Sequence, residues 1–145
     1  MAVKKQQSET VEDRRKRALH PETHPDDLKR LAKDEDKGVR IDVTMNPSTP
    51  VSILEELAKD EHWNVRLGVA AYNPNTPTSL LEKLARDEDW NVRFWVAVNR
   101  NTSDSVLKQL EEDEDYFVRG GLSITLMAPR YFAGSTPENS STENS

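Results

Sequence analysis

Cysteine is absent from the 145 residues, only three histidines are present, and aromatic side chains amount to 6% of the chain. Without a thiol there is no disulfide framework, thiolate metal site, iron–sulfur cluster or cysteine nucleophile. No apolar run approaches the roughly 20 residues that a membrane-spanning helix needs. The N-terminus passes from Lys4-Lys5 straight into polar residues, without a signal-peptide hydrophobic stretch. Together these absences predict a cytoplasmic protein. His20 and His24 are four residues apart, but Pro21 and Pro25 prevent the helix that would turn both toward one metal. Glycine-rich phosphate loops, a G-x-S-x-G elbow and a serine–histidine–aspartate grouping are also missing. The sequence therefore predicts no metal, no cofactor and no enzymatic activity.

What the chain does contain is repetition. Leu31-Ala32-Lys33-Asp34-Glu35 recurs at Leu57, at Leu84 and, eroded, at Leu110, with spacings of 26, 27 and 26 residues. The pairs Val39-Arg40, Val65-Arg66, Val92-Arg93 and Val118-Arg119 keep the same spacings. A breaker block, Asn46-Pro47-Ser48-Thr49-Pro50 and Asn73-Pro74-Asn75-Thr76-Pro77, has weaker copies at His20-Pro21-Glu22-Thr23 and Asn99-Arg100-Asn101-Thr102. Five of the eight prolines belong to it and a sixth, Pro25, follows its first copy by two residues, so each unit reads as breaker, short helix, acidic turn, short helix. Thr49 is expected to cap the first helix, with Pro50 at its first position. Ile53, Leu54, Leu57 and Ala58 form one apolar stripe on that helix. Helices this short are marginal alone, so units must stack to be stable. Strand-like alternation is confined to Leu122–Leu126, which makes a sheet improbable.

The expected fold is an all-α solenoid of about four 26- to 27-residue two-helix repeats. Residues 1–10 read as a disordered N-terminus, 11–19 as a capping helix, and about 20–45, 46–72, 73–98 and 99–125 as repeats. Residues 126–133 would form a C-terminal cap. Residues 134–145, lacking side chains able to pack, would be a disordered tail.

The pattern Val-Arg-x-x-Val-Ala-x-Asn-(Pro)-x-Thr-Pro-x-x-x-Leu-x-x-Leu-Ala-x-Asp, carried by Val92–Asn99 and Asn46–Asp60, resembles the leucine-rich repeat variant family. The resemblance covers residues from about 20 to 125. It implies a right-handed superhelix of alternating α and 3₁₀ helices, with no sheet. The iron–sulfur segment of some family members requires cysteines that this chain lacks. HEAT-like repeats, which also place an Asp six residues before the Arg, have longer helices than these breakers allow.

Four pairs, Asp34/Arg40, Asp60/Arg66, Asp87/Arg93 and Asp113/Arg119, share a separation of six residues. Each guanidinium could donate to the carboxylate of its own or the adjacent unit, giving a charge-assisted ladder. A row of arginines binding phosphate or acidic side chains is the functional alternative; repetition in every unit favours the ladder. The acidic triplets beginning at Asp34, Asp87 and Asp113 lack the alternating oxygen ligands and glycine of a calcium loop, and read instead as helix-start carboxylates. Trp63, Trp90 and Tyr116 occupy one column, with Lys37 at the equivalent place in the first unit. These rings either seal seams between units or form a strip for a partner. Trp95 replaces Asp42 and Gly68 at its repeat position, which points to a surface used by that unit alone.

Residues 1–20 carry a net charge of +3 and the remainder −9. Nucleic acid is therefore a poor match for the body of the array, although Arg14, Arg15, Lys16 and Arg17 on the capping helix could contact an anion. The sequence favours a non-catalytic scaffold that binds a protein or peptide along one face; a nucleic-acid-binding regulator is the alternative. Truncation after Phe132 should leave the melting midpoint unchanged, because the removed residues cannot bury enough apolar area to offset ordering. A collapse of the helical circular dichroism signal would show that the tail packs on the last unit.

Overall fold

The computed structural model describes residues 8–127. Among them every regular element is a helix: α1 (Val11–Leu19), α2 (Pro25–Leu31), α3 (Lys37–Met45), α4 (Val51–Leu57), α5 (Trp63–Ala71), α6 (Thr78–Leu84), α7 (Trp90–Val98), α8 (Asp104–Leu110) and α9 (Tyr116–Met127). Short helices of seven residues, α2, α4, α6 and α8, alternate with longer ones of nine to twelve. The longer helices pack on one another in chain order, α1 on α3, α3 on α5, α5 on α7 and α7 on α9. Each short helix packs against the longer helices that flank it. The core is one continuous apolar cluster, with Leu28, Leu54 and Leu81 from the short helices meeting Val39, Val43, Val65, Val69, Val92 and Val96 from the long ones.

Several sequence expectations change in detail. The short helices are α-helical throughout, with i to i−3 bonds in the opening turn, as in Asp27 N–H to His24 O, and as they close, as in Lys33 N–H to Arg30 O and Asp34 N–H to Leu31 O. Leu122–Leu126 lies inside α9, so the 125/126 repeat boundary falls within a helix. The ordered chain begins before residue 11: Thr10 caps α1 through a reciprocal bond with Asp13, and Glu9 pairs with Arg17. The expected C-terminal cap, except for its first two residues, and the expected tail lie outside the described residues.

Thr49 does not cap α4. Pro50 occupies the N-cap position, and Thr49 Oγ1 instead donates to Val43 O, 2.7 Å away, closing the helix before it. Thr76 to Val69 O and Thr102 to Val96 O repeat the contact at 2.7 Å. The asparagine of each breaker bridges backward to the previous unit: Asn46 Nδ2 donates to Ala18 O and His20 O, and Asn73 Nδ2 to Thr44 O and Asn46 O. Asn99 Nδ2 continues the row to Ala70 O at 2.6 Å. The orphan carbonyls at the ends of the long helices are thereby satisfied by side chains.

The 27-residue interval has a local cause. Tyr72 is one residue more than α3 or α7 carries before its asparagine, and its N–H extends α5 by bonding Gly68 O at 2.9 Å. Gly68 itself is a packing requirement, since a Cβ there would stand 2.3 Å from Thr44 Oγ1. Gly120, in contrast, has nothing within 4 Å of its would-be Cβ. Gly68→Ala should lose about 1 to 3 kcal/mol through overpacking at the α3/α5 seam. Gly120→Ala should gain about 0.5 to 1 kcal/mol from helix propensity and unfolded-state entropy. Denaturant midpoints moving in opposite directions would establish the difference, and adding Thr44→Ala should partly restore the Gly68 variant.

Candidate interaction surface

Each acidic turn joins a short helix to the long helix that follows it, and its three residues do three different jobs. The first aspartate accepts an N–H from two residues ahead, as in Asp34, Asp60, Asp87 and Asp113, all at 2.9 Å. That leaves both its oxygens in reach of the arginine of the preceding unit. Arg14, Arg40, Arg66 and Arg93 each donate Nε and Nη2 to the aspartate 20 or 21 residues ahead, at 2.6 to 2.8 Å and 3.0 to 3.2 Å respectively. The aspartate of the arginine's own turn contributes only its peptide oxygen: Arg40, Arg66 and Arg93 donate Nη1 to the carbonyls of Asp34, Asp60 and Asp87 at 2.7 to 2.8 Å. Arg119 repeats the carbonyl contacts with Asp113 and Glu114 but has no carboxylate partner among the described residues.

The geometry thus ties Asp to Arg across neighbouring units, with the six-residue pair meeting through the backbone. Arg40, Arg66 and Arg93 are buried, and hydrogen bonding to Asp60, Asp87 and Asp113 holds each guanidinium above its ordinary pKa. Burial pushes Asp113 upward, but the Arg93 hydrogen bond, the Asp115 N–H and the neighbouring guanidinium charges outweigh it, leaving the carboxyl below its usual value. Asp34 behaves alike, with Arg14 as its partner.

The third residue caps the long helix. Asp36 Oδ1 accepts from Gly38 and Val39, Asp89 from Asn91, and Asp115 from Phe117. His62 stands at this place before α5 and makes no side-chain cap. The middle glutamates remain in solvent: the side chains of Glu61, Glu88 and Glu114 are 82%, 90% and 92% exposed.

The capping helix does not offer free cations. Arg14 is bound to Asp34, Arg15 to Asp42 at 2.6 Å, Lys16 to Glu12 at 3.5 Å, and Arg17 to Glu9. Anion contact by this segment would have to compete with those carboxylates.

The aromatic column is exposed where the long helices begin: Trp63, Trp90 and Tyr116 retain 43%, 39% and 64% of their accessible surface. Phe117, which the repeat alignment places opposite Asn64 and Asn91, joins them. It stacks on Trp90 with centroids 5.2 Å apart and lies 4.0 Å from Tyr116. Trp95 is 36% exposed and touches Phe94 edge-on at 5.6 Å and Tyr72 at 6.5 Å. Its repeat position is not the plain surface that the sequence suggested. Asp42 is only 2% exposed and paired with Arg15, while Gly68 is compelled by Thr44. Tyr72 and Phe117 were missed because one is an insertion and the other a substitution; the 27-residue spacing was the signal for Tyr72.

Among the described residues no group of three or more His, Asp or Glu side chains is placed to hold a metal ion, and no helix is long and apolar enough to cross a membrane. No protein-family model matches the chain, and neither curated proteins nor solved structures yield a match.

Arg93→Ala removes a buried guanidinium and strips the fork from Asp113, whose side chain is 8% exposed, and should destabilise by about 3 kcal/mol. Arg119→Ala, at an exposed position without a carboxylate partner among the described residues, should stay within about 0.5 kcal/mol. Because the folded pKa of Asp113 is depressed, its contribution is present above the unfolded value and disappears as pH falls through the folded one. Wild-type stability should therefore decline below about pH 4. Arg93→Ala should show a shallower acid loss in melts recorded from neutral pH downward.

Proposed function

We propose that the chain is a non-catalytic, cytoplasmic interaction module of the leucine-rich repeat variant type, a right-handed solenoid of about four units that binds a protein or peptide along its long helices. The observation that carries this reading is the pair of exposed aromatic groups on that layer, Trp90 with Tyr116 and Phe117, and Trp95 with Tyr72. Large rings kept partly in water by rigid neighbours are the usual anchors of protein interfaces, since they bury much area at little entropic cost. The buried charged groups, by comparison, already have partners within the array. A nucleic-acid reading would rest on arginines that are bonded to carboxylates, which makes it the weaker alternative.

Trp95→Ser tests the interaction reading against a purely structural role for the ring. The variant should lose no more than about 2 kcal/mol of folding stability, since the indole is not fully enclosed. Capture of proteins from a host lysate, compared between wild type and variant at equal loading, should weaken by about 2 kcal/mol for a specific partner. Equal capture by the two proteins would count against the aromatic surface. Unfolding of the variant would place Trp95 in the core.

A further inference from the structure

We propose that the edge formed by Glu61/Trp63, Glu88/Trp90 and Glu114/Tyr116 is a docking strip for an extended cationic segment that presents Arg or Lys at every third residue. The inference rests on the interaction reading above and names the chemistry of the partner. In three successive units a solvent-exposed carboxylate precedes an exposed ring by two residues. The other charges of each turn are already used. Its first aspartate takes the arginine fork of the unit before, and in the last two of these turns the third carboxylate caps a helix.

The glutamate is what remains. Glu88 and Glu114 approach the buried guanidiniums of Arg66 and Arg93 only at 3.6 and 3.8 Å while staying almost wholly in water. An exposed carboxylate two residues before an exposed ring at the start of a long helix supplies the two kinds of group that hold a guanidinium or ammonium, one by ion pairing and the other by the ring quadrupole. Stacking by Phe117 fixes the Trp90 ring while leaving it 39% exposed. Charge excludes the alternatives: an acidic peptide or a phosphate backbone would meet the same glutamates, within residues 21–145 whose net charge is −9. A second copy of this chain is a poor occupant, because its Arg14, Arg15 and Arg17 are engaged in its own ion pairs.

The spacing of the ligand follows from the packing of its receptor. Helix α7 lies directly against both α5 and α9, and packed helices have axes about 8 to 10 Å apart. An extended chain advances about 3.3 Å per residue, so side chains three apart fall about 10 Å from each other. Lys37 takes the ring's place in the first unit, so the strip ends at Trp63.

The probe is a synthetic peptide of repeated Arg-Gly-Ser, titrated into the full-length protein and followed by tryptophan fluorescence and calorimetry at low and physiological salt. Two controls have the same length: one gathers the arginines into a block, and one replaces them with glutamate. Binding by the spaced peptide, at least tenfold weaker for the Glu88→Gln/Glu114→Gln pair and again for Trp90→Leu, is the expected result. Tyr116→Ser, at the most exposed ring, supplies a second aromatic variant should Trp90→Leu melt early. If both ring variants fold and bind as wild type while the glutamine pair weakens binding, only net charge is at work and the proposal is overturned. Equal affinity for the blocked peptide overturns the spacing. Ring-dependent binding of the glutamate peptide overturns the cationic partner yet keeps the interaction reading. Lysate partners that depend on Trp95 while no probe depends on Trp63, Trp90 or Tyr116 place the interface elsewhere on the long helices.

Discussion

A buried guanidinium fork closes on an aspartate 20 or 21 residues ahead, and the rest of the array is arranged around that bond. Helices of seven and nine residues have too few internal hydrogen bonds to persist in water, so each unit depends on its neighbour. The arginine supplies that dependence in three directions at once, holding two carbonyls of its own turn and both oxygens of the next unit's carboxylate. A lysine could not reproduce it, since a point charge lacks the planar fork. The contact is also insensitive to the inserted residue. Arg66 reaches Asp87 over 21 residues at the 2.7 Å by which Arg40 reaches Asp60 over 20, because Tyr72 is absorbed at the end of α5.

The opposite ends of the long helices are held by neutral chemistry. Asparagine amides and threonine hydroxyls of the breaker block take up carbonyls that the helices leave unpaired, and each asparagine reaches back as the arginine reaches forward. With both ends of every unit satisfied, the residues between them are free to respond to their neighbours. Thr44 opposite Gly68 and Phe94 opposite Gly121 are two such responses, where a larger side chain on one helix is met by the absence of one on the next. Exposed rings lie on this same layer, so the part of the array that varies from unit to unit is also the part suited to recognition.

Charge follows the same division. Arginines and their aspartates neutralise each other within the stack, the third carboxylate is turned onto a helix terminus where the dipole favours it, and the middle glutamate is left to solvent. An acidic surface thus arises from repeats whose interior is electrically balanced.

Much of the architecture was legible in the chain alone. Recurrence of Leu-Ala-x-Asp-Glu, Val-Arg and Asn-Pro blocks at 26 or 27 residues implies paired short helices, and the recurrence of Asp and Arg implies a charged ladder. Such features are readable because hydrophobic periodicity and helix breakers act over a few residues. The direction of the ladder was not readable. A separation of six residues leaves open whether the carboxylate comes from the arginine's own unit or the adjacent one; the distance that matters is about 20 residues and exists only once units have packed. Thr49 could cap forward or close backward, and the preceding helix decided. Trp95 had to be judged by the neighbours of Asp42 and Gly68, which no alignment of repeats contains. Local propensity determined the elements; close packing between units, where one methyl group at Gly68 would stand 2.3 Å from Thr44, decided which side chains remained for a partner.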